Sequence, residues 1–491
     1  MIIDSKGMKL LEQSSGRTTA ELMEDAGKAI AAAVESLTGP HDSILFIAGK
    51  GNNGGDAYAA ARVIHRKAQV YAAFGKPVTE EAAAQYDALP DKRHRKRNLT
   101  RAIENCDVIV DCLYGFGYHG DLNDKARAYA AMINSSGKRV FSVDINSGAE
   151  SDTGRYDRDA VISEYTFALD CYKPFHTLRK EHRLFKYCML LDLQIPHTLK
   201  SDFLEMDADL FFRNFPKKDE SSYKGTFGKT LLIGGSYGMA GALMLNIIGA
   251  ETAAAPYIEA GLPDAIYPIA AGRFITPVYH PYSDYNYEEV LLPAIEQAKA
   301  VGFGSGMANL NIRNSLLDLV LQNARGPVIL DAEAIRLLQH NTYIFRFVRE
   351  PVILTPHIGE FACMINKPVH VINEARLSYA RDFAKENKVY LVLKGANTIV
   401  ASPHGEVYIS QVGSQALARA GSGDVLTGIM AGILTRVSDV FTGVCMAVWL
   451  HGYLAEYACS TLGSEAELFH LERYPEIMEA LMHNITAGKD Q

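Results

Sequence analysis

The residues best placed to do chemistry sit in two glycine-rich turns, GKGNNGGD (residues 49–56) and AGSGD (residues 420–424). The second opens an apolar, helix-like run, VLTGIMAGIL. Its backbone N–H groups form an anion-binding nest, reinforced by the helix dipole. An aspartate in such a nest opposes an anion. Asp424 therefore makes better sense as a base beside a phosphoryl group, taking the proton from an attacking hydroxyl. Its plainer alternative is a helix cap. In the first turn Gly49, Gly51 and Gly54 fit the G-x-G-x-x-G spacing of a dinucleotide loop, set between an apolar run and an alanine-rich one. The partner of that fingerprint is an acid about 20 residues on, at the tip of the second strand. Here that strand ends AAFGKPVTEE, with Glu80 and Glu81 several residues further along.

Other polar residues fall just past strand-like runs. Asn52, Asn53 and Asp56 follow SILFIA, Asp111 closes DVIVD, Asp144 closes RVFSVD, and Ser147 and Gly148 come next. In an open parallel sheet, ligands bind outside the carboxyl ends of the strands, so these residues converge. Asn53, Asp111 and Ser147 offer oxygen ligands of low total charge, which suits a weakly held monovalent cation. There is no His/Cys cluster to suggest zinc. Later in the chain, LKGANT (393–398) places Lys394 and Thr398 where a nucleotide could lie, and TPHIGE (355–360) puts His357 and Glu360 at a strand end. GFGSG (302–306) and GGSYGMAGA (234–242) are further loops open to close ligand approach.

The elements that must position these groups alternate. Short strand-like runs (43–48, 69–75, 107–111, 139–144) are separated by alanine-rich amphipathic stretches, which predicts βαβ units and a mostly parallel sheet. A polar, charge-rich stretch at 196–224 reads as a domain junction, and a second alternation follows (229–235, 300–306, 327–333, 351–357, 389–402) before a helical C-terminal third. The expectation is two α/β domains of three αβα layers, over residues 1–205 and 206–491. A net charge of −8 argues against a general nucleic-acid binder, although DKRHRKRNLTR (91–101) is locally basic. Seven cysteines without a C-x-x-C pair suit reduced thiols in the cytoplasm. No apolar run reaches membrane-spanning length, and MIIDSKGMKLLEQ lacks the apolar core of a signal peptide.

LMEDAG (22–27), GKGNNGGD, VDCLYGFGYHGDL (110–122) and VDINSG (143–148) resemble the NAD(P)HX epimerase domain, which is Rossmann-like. The resemblance implies that Asn52, Asn53, Gly54, Gly55 and Asp56 hold a damaged dinucleotide. The loop Gly115, Phe116, Gly117, Tyr118, His119, Gly120 and Asp121 would contact it too, as would Asp144, the candidate for proton transfer. It also implies potassium on Asn53, Asp111 and Ser147. KGTFGKTLLIGG, VILDAEAI, TPHIGE, LKGANT and AGSGDVLTGIMAG, in that order over residues 224 to about 440, resemble the ribokinase-like ADP/ATP-dependent NAD(P)HX dehydratases. By position, Lys394, Gly395, Ala396, Asn397, Thr398 and Gly423 would bind ADP or ATP. Ala242, Gly304, His357 and Asp424 would contact the hydrated dinucleotide, and Mg²⁺ would neutralise the phosphoryl charge. Together the resemblances imply a homo-oligomeric metabolite repair enzyme, with no nucleic acid and no membrane involved. The rival reading is a small-molecule kinase of the hydroxymethylpyrimidine type, with a non-catalytic nucleotide- or RNA-binding N-terminal domain.

Overall fold

The computed structural model describes residues 1–95, 98–179, 183–216, 227–339 and 341–487. Part of the basic run and the first residues of KGTFGKTLLIGG lie outside the described residues. The chain divides into two compact units, one over Met1–Phe203 and Glu374–Leu377 and one over Leu204–Asn373 and Ser378–Gln491.

The first unit is built on strands β1 (Ser43–Ala48), β2 (Lys67–Ala72), β3 (His94–Arg95), β4 (Val108–Cys112), β5 (Arg139–Val143), β6 (Ser163–Leu169) and β7 (Phe185–Leu191). Their order is β3-β2-β1-β4-β5-β6-β7, and every pairing is parallel. Side chains alternate across a strand, and β1 shows the consequence. Ile44, Phe46 and Ala48 pack with the helices Ser5–Ser14, Thr19–Leu37 and Asn52–Val63, while Leu45 and Ile47 pack with Leu99–Glu104 and Asp124–Asn134. Both faces are covered, as three layers require. The connections change direction between β1 and β4, which makes the crevice above those two strands the place for a ligand.

The second sheet consists of β8 (Phe203–Leu204), which straddles the boundary, and of β9 (Lys229–Ile233), β10 (Ile258–Pro263), β11 (Val278–Tyr282), β12 (Ala298–Phe303), β13 (Val328–Leu330), β14 (Val352–Leu354), β15 (Tyr390–Leu393), β16 (Ile399–Ala401) and β17 (Val407–Ile409) in the second unit. The order is β11-β10-β9-β12-β13-β14-β15-β16-β17-β8. The sheet is parallel from β11 to β15 and antiparallel through β16 and β17. Its switch point lies between β9 and β12. One face packs Leu232, Ala300, Ile329 and Ile353 against the helices Ala240–Thr252, Ser422–Leu434 and Val440–Ser460. Their neighbours Leu231, Ile233, Phe303 and Leu330 are equally buried and point the opposite way. Among the described residues no helix is long and apolar enough to cross a membrane.

The helix that carries Asp424 is locked by glycines. A Cβ on Gly428 would stand 1.9 Å from the carbonyl oxygen of Asn246, and one on Gly249 would stand 2.1 Å from that of Val425. The two helix backbones therefore touch, and Asn246 Nδ2 donates to the carbonyl of Asp424 at 2.7 Å. Gly428→Val should lower the stability of this unit by about 1–3 kcal/mol, read as an earlier thermal unfolding transition. Because the displaced helix carries Asp424, activity of this unit should fall at temperatures where the variant is still folded.

Candidate functional site

In the first unit the polar residues meet at the carboxyl ends of β1, β4 and β5. Gly51 caps the helix Asn52–Val63 without a side-chain bond, so the first N–H groups of that helix stay open. Asn53 lies in its first turn and spends its amide protons on the carbonyls of Tyr114 (2.8 Å) and Val143 (3.3 Å). Its Oδ1 is buried and has no hydrogen-bond partner among the described residues. Asp111 is fully buried on β4 and accepts from Ser147 Oγ (2.7 Å), Ser147 N (3.0 Å), Ser142 Oγ (3.0 Å) and Leu113 N (3.2 Å). Burial nonetheless keeps its carboxyl above the usual range, against the pull of those bonds. Among the described residues no cationic side chain pairs with Asp111.

Asp144 follows β5 in the left-handed region, at φ 63°. One carboxylate oxygen accepts from Phe116 N at 2.6 Å, and the other lies 3.0 Å from Lys173 Nζ. Lys173 is completely buried and also donates to the carbonyl of Leu169 at 2.9 Å. A Cβ on Gly115 would stand 2.9 Å from Asp144 Oδ2 and 3.2 Å from Asn53 Cγ, so glycine is what lets the loop pass between them. Asp56 is buried nearby, and its carboxyl is pushed well above the usual range by burial and by the charges of Asp144 and Glu12. A cleft of about 820 Å³ opens over this rim, lined by Asn52, Asn53, Asp56, Asp144, Lys173 and the loop Gly115–His119, with Met8 and Glu12 on a further wall. Gly54 and Gly55 face inward, against the Gly49 carbonyl and the Met23 side chain. Gly120 donates to Glu150, and Asp121 pairs with Arg155 at 2.6 Å; neither lines the cleft.

In the second unit Gly421 turns the chain at φ 91° into the helix Ser422–Leu434. Asp424 sits in its first turn, with its carboxyl pushed up to about 6. Burial is the main cause and the charge of Asp331 adds to it, while a bond from Ser305 and the Lys394 ammonium pull the other way. Asp331, at the end of β13, is 2.8 Å from Lys394 Nζ and accepts from Thr355 Oγ1 at 2.7 Å. Burial alone would raise its carboxyl, but Lys394 and Thr355 outweigh that and hold it low. A Cβ on Gly423 would stand 3.1 Å from Lys394 Nζ, so the ammonium lies against the turn.

Beyond Lys394 the expected residues separate. Gly395 and Ala396 are exposed, Thr398 Oγ1 closes the loop on the Gly395 carbonyl at 3.1 Å, and Asn397 is fully buried with Nδ2 on the Ser410 carbonyl at 2.8 Å. His357 caps the helix Ile358–Met364 through Nδ1. It lines a second cleft of about 350 Å³ with Gly306, Ala332 and Glu360. Gly304, at φ 119°, is pressed against the Asp331 carbonyl, and Ala242 packs beside Gly306. Sequence reasoning did not single out Lys173, Asp331, Asn246 or Ser305. Asp331 had a signal, since VILD ends a strand as DVIVD does. Lys173 had a weaker one, a lone lysine amid the apolar CYKPF.

Two family models match the chain. Residues 19–175 match the YjeF-related protein N-terminus, and residues 230–474 match NAD(P)H-hydrate dehydratase. The bifunctional NAD(P)H-hydrate repair enzyme Nnr of Moorella thermoacetica is 28% identical over 473 residues, which cover 91% of this chain and 89% of that one. Among solved structures, the ADP/ATP-dependent NAD(P)H-hydrate dehydratase of Bacillus subtilis, co-crystallised with ATP and Mg²⁺, is 31% identical. It covers 56% of this chain and 96% of its own at a TM-score of 0.50. A ribokinase-like superfamily protein of Enterococcus faecalis, 20% identical, covers 59% of this chain and 98% of its own at a TM-score of 0.51, and so shares the fold. The chain belongs to the bifunctional NAD(P)H-hydrate repair enzymes, its first unit being the YjeF-related part and its second the NAD(P)H-hydrate dehydratase part.

Proposed function

We propose the following division of labour in this bifunctional repair enzyme. The first unit interconverts the R and S forms of hydrated NADH or NADPH, and the second removes water from the S form using ADP or ATP. The observation that carries the reading is Asp424. It is a carboxyl with a proton affinity near neutrality, at the mouth of an anion-binding turn, with Lys394 against that turn. That combination suits phosphoryl transfer to a substrate hydroxyl.

In the second unit Asp424 accepts the proton of the ring hydroxyl as its oxygen bonds to the terminal phosphorus. The bond from that phosphorus to the nucleotide breaks. Phosphate then leaves with the carbon–oxygen electrons, the ring nitrogen lone pair assists, and loss of a proton from the adjacent carbon restores the double bond. Lys394 neutralises phosphoryl charge. The carboxylates of Asp331 and Asp424 are hard oxygen ligands that repel each other, a setting that a divalent cation relieves. Mg²⁺ bound there would supply charge neutralisation to the phosphates.

In the first unit Asp144 takes the ring-hydroxyl proton as the carbon–nitrogen bond opens to an aldehyde, the nitrogen keeping the electron pair, and returns it to the oxygen as that bond re-forms on the other face, while Lys173 holds its carboxylate in place. Potassium fits the buried Asn53 Oδ1, which lacks a partner, and the buried Asp111, which lacks a cation. Asn53, Asp111 and Ser147 would hold it, and it would supply the missing positive charge under the dinucleotide. All seven cysteines carry free thiols, which fits the cytoplasm.

Mixed R and S NADHX with ADP or ATP should return to NADH completely. In Asp424→Asn nucleotide-dependent recovery should vanish while epimerisation continues; a variant that still dehydrates would refute the assignment. Asp144→Ala and Lys173→Met should each stop recovery at the S fraction, and full conversion by either would remove that residue from the mechanism. The dehydration rate under kcat/KM conditions should rise with pH through about 6 and level off above it, because only the ionised carboxyl accepts the proton.

The same carboxyl has a cost in stability. Its folded proton affinity lies above the unfolded value, so the fold loses stability as the pH rises from about 4 to about 6. The loss persists above that. Asp424→Asn should therefore stabilise the second unit at neutral pH by up to about 3 kcal/mol and little at low pH. Chemical denaturation at the two pH values measures the difference.

A further inference from the structure

The sequence offers no His/Cys pattern with metal-ligand spacing, yet the fold assembles one. β6 ends in Leu169, and Asp170 and Cys171 follow directly. The segment after β7 brings His197 to the same place. His197 Nε2 lies 2.9 Å from Asp170 Oδ2 and 3.4 Å from Cys171 Sγ, and Sγ lies 3.4 Å from Asp170 Oδ2. Around a tetrahedral zinc, with bonds of about 2.3 Å to sulfur and about 2.0–2.1 Å to nitrogen or oxygen, ligand atoms stand roughly 3.3–3.6 Å apart. The three atoms already occupy three corners of such a tetrahedron to within a few tenths of an ångström.

The surroundings favour ligation. Asp170 Oδ1 is held by the N–H groups of Leu193 (3.2 Å) and Ile195 (3.3 Å), which leaves Oδ2 aimed at the other two groups. Asp170 also sits in the left-handed region, at φ 60°. Asp170 and Cys171 are buried, whereas the His197 side chain is 39% exposed. The partly exposed imidazole puts one edge of the cluster within reach of solvent.

We propose that Asp170, Cys171 and His197 form a binding site for a divalent transition-metal ion of the zinc class, with water as the fourth ligand. On binding, the Cys171 thiol loses its proton to solvent as the sulfur–metal bond forms. His197 gives the Nε2 lone pair and keeps its remaining proton on Nδ1. Asp170 contributes Oδ2 as a carboxylate. The site is separate from the oxygen set of Asn53, Asp111 and Ser147, and it selects a softer ion through sulfur and imidazole. Its role is to tie the end of β6 to the segment after β7. Leu169 and Leu193, one on each side of that tie, line the cleft of the first unit, and Lys173 lies two residues beyond Cys171.

The test uses the full chain, stripped with a chelator and titrated with Co²⁺ and then Zn²⁺. The expected result is one Co²⁺ per chain with a thiolate-to-cobalt charge-transfer band in the near ultraviolet, displaced by Zn²⁺. Zn²⁺ should also raise the thermal midpoint. Cys171→Ser should lose the band. His197→Gln alters a partly exposed side chain and so spares the core; it should weaken binding about tenfold or more. Exposed Cys363 remains in both variants and controls for adventitious thiolate binding. Absence of the band in the unaltered protein would overturn the proposal, and so would a band of equal strength and affinity in either variant.

Discussion

Both units rest on carboxylates buried where parallel strands end, and such a group is tolerable only if something answers its charge. The two folds answer it in different ways. Asp331 is given a lysine and a threonine and stays ionised. Asp144 is given Lys173 and a backbone N–H. Asp111 receives only hydroxyl and N–H groups, and so remains short of positive charge. Asp424 receives the Ser305 hydroxyl and the charge of Lys394, but burial and the repulsive Asp331 outweigh them and push its carboxyl up. The chemistry assigned to each follows from these differences, since residues of one type are driven to distinct roles by their environments.

Such differences survive only on a rigid frame. In the second unit the helix behind Asp424 is buried along nearly its whole length and touches its neighbour backbone to backbone at Gly249 and Gly428. Asn246 then ties the two helices to the site, reaching Ser305 and the Asp424 carbonyl together. In the first unit the same close approach recurs at Gly49 and Gly54, and Gly115 threads between Asn53 and Asp144. Each of these glycines is a place where one methyl group would move a catalytic group, so packing and chemistry cannot be varied independently there.

The sequence showed most of the central strands, because buried parallel strands are short apolar runs with sharp ends. SILFIA coincides with β1, and RVFSVD overruns β5 by the single residue Asp144. It showed less of the periphery. β7 (FKYCMLL) is exposed at several positions and β10 (IEAGLP) contains glycine and proline, so neither reads as a plain apolar run. Polar residues at strand ends were legible for the same reason that the strands were. Lys173 and His197 were not, because each gains its meaning from a partner on another strand, at a separation that no local pattern records. The pairing of His197 with Asp170 depends on β7 lying beside β6, which is a fact of topology rather than of spacing.

The G-x-G-x-x-G turn shows what spacing alone can and cannot specify. Glycines at those positions fix a backbone path: Gly54 must pass the Gly49 carbonyl, and Gly51 must leave the helix start uncapped. Any dinucleotide loop needs that path, so the spacing says nothing about what is done to the dinucleotide. The residues between decide it. Asn53 uses both amide protons on the loops beyond β4 and β5, and this turns its oxygen into the buried space as an acceptor without a hydrogen-bond partner among the described residues. Beyond the second strand, where a redox enzyme keeps an acid for the ribose, Phe74 lines the cleft instead. A redox cofactor has to be gripped at its ribose and left chemically intact between hydride transfers. A dinucleotide that is itself the damaged substrate has to be released once mended, and a cleft without that grip suits the second task.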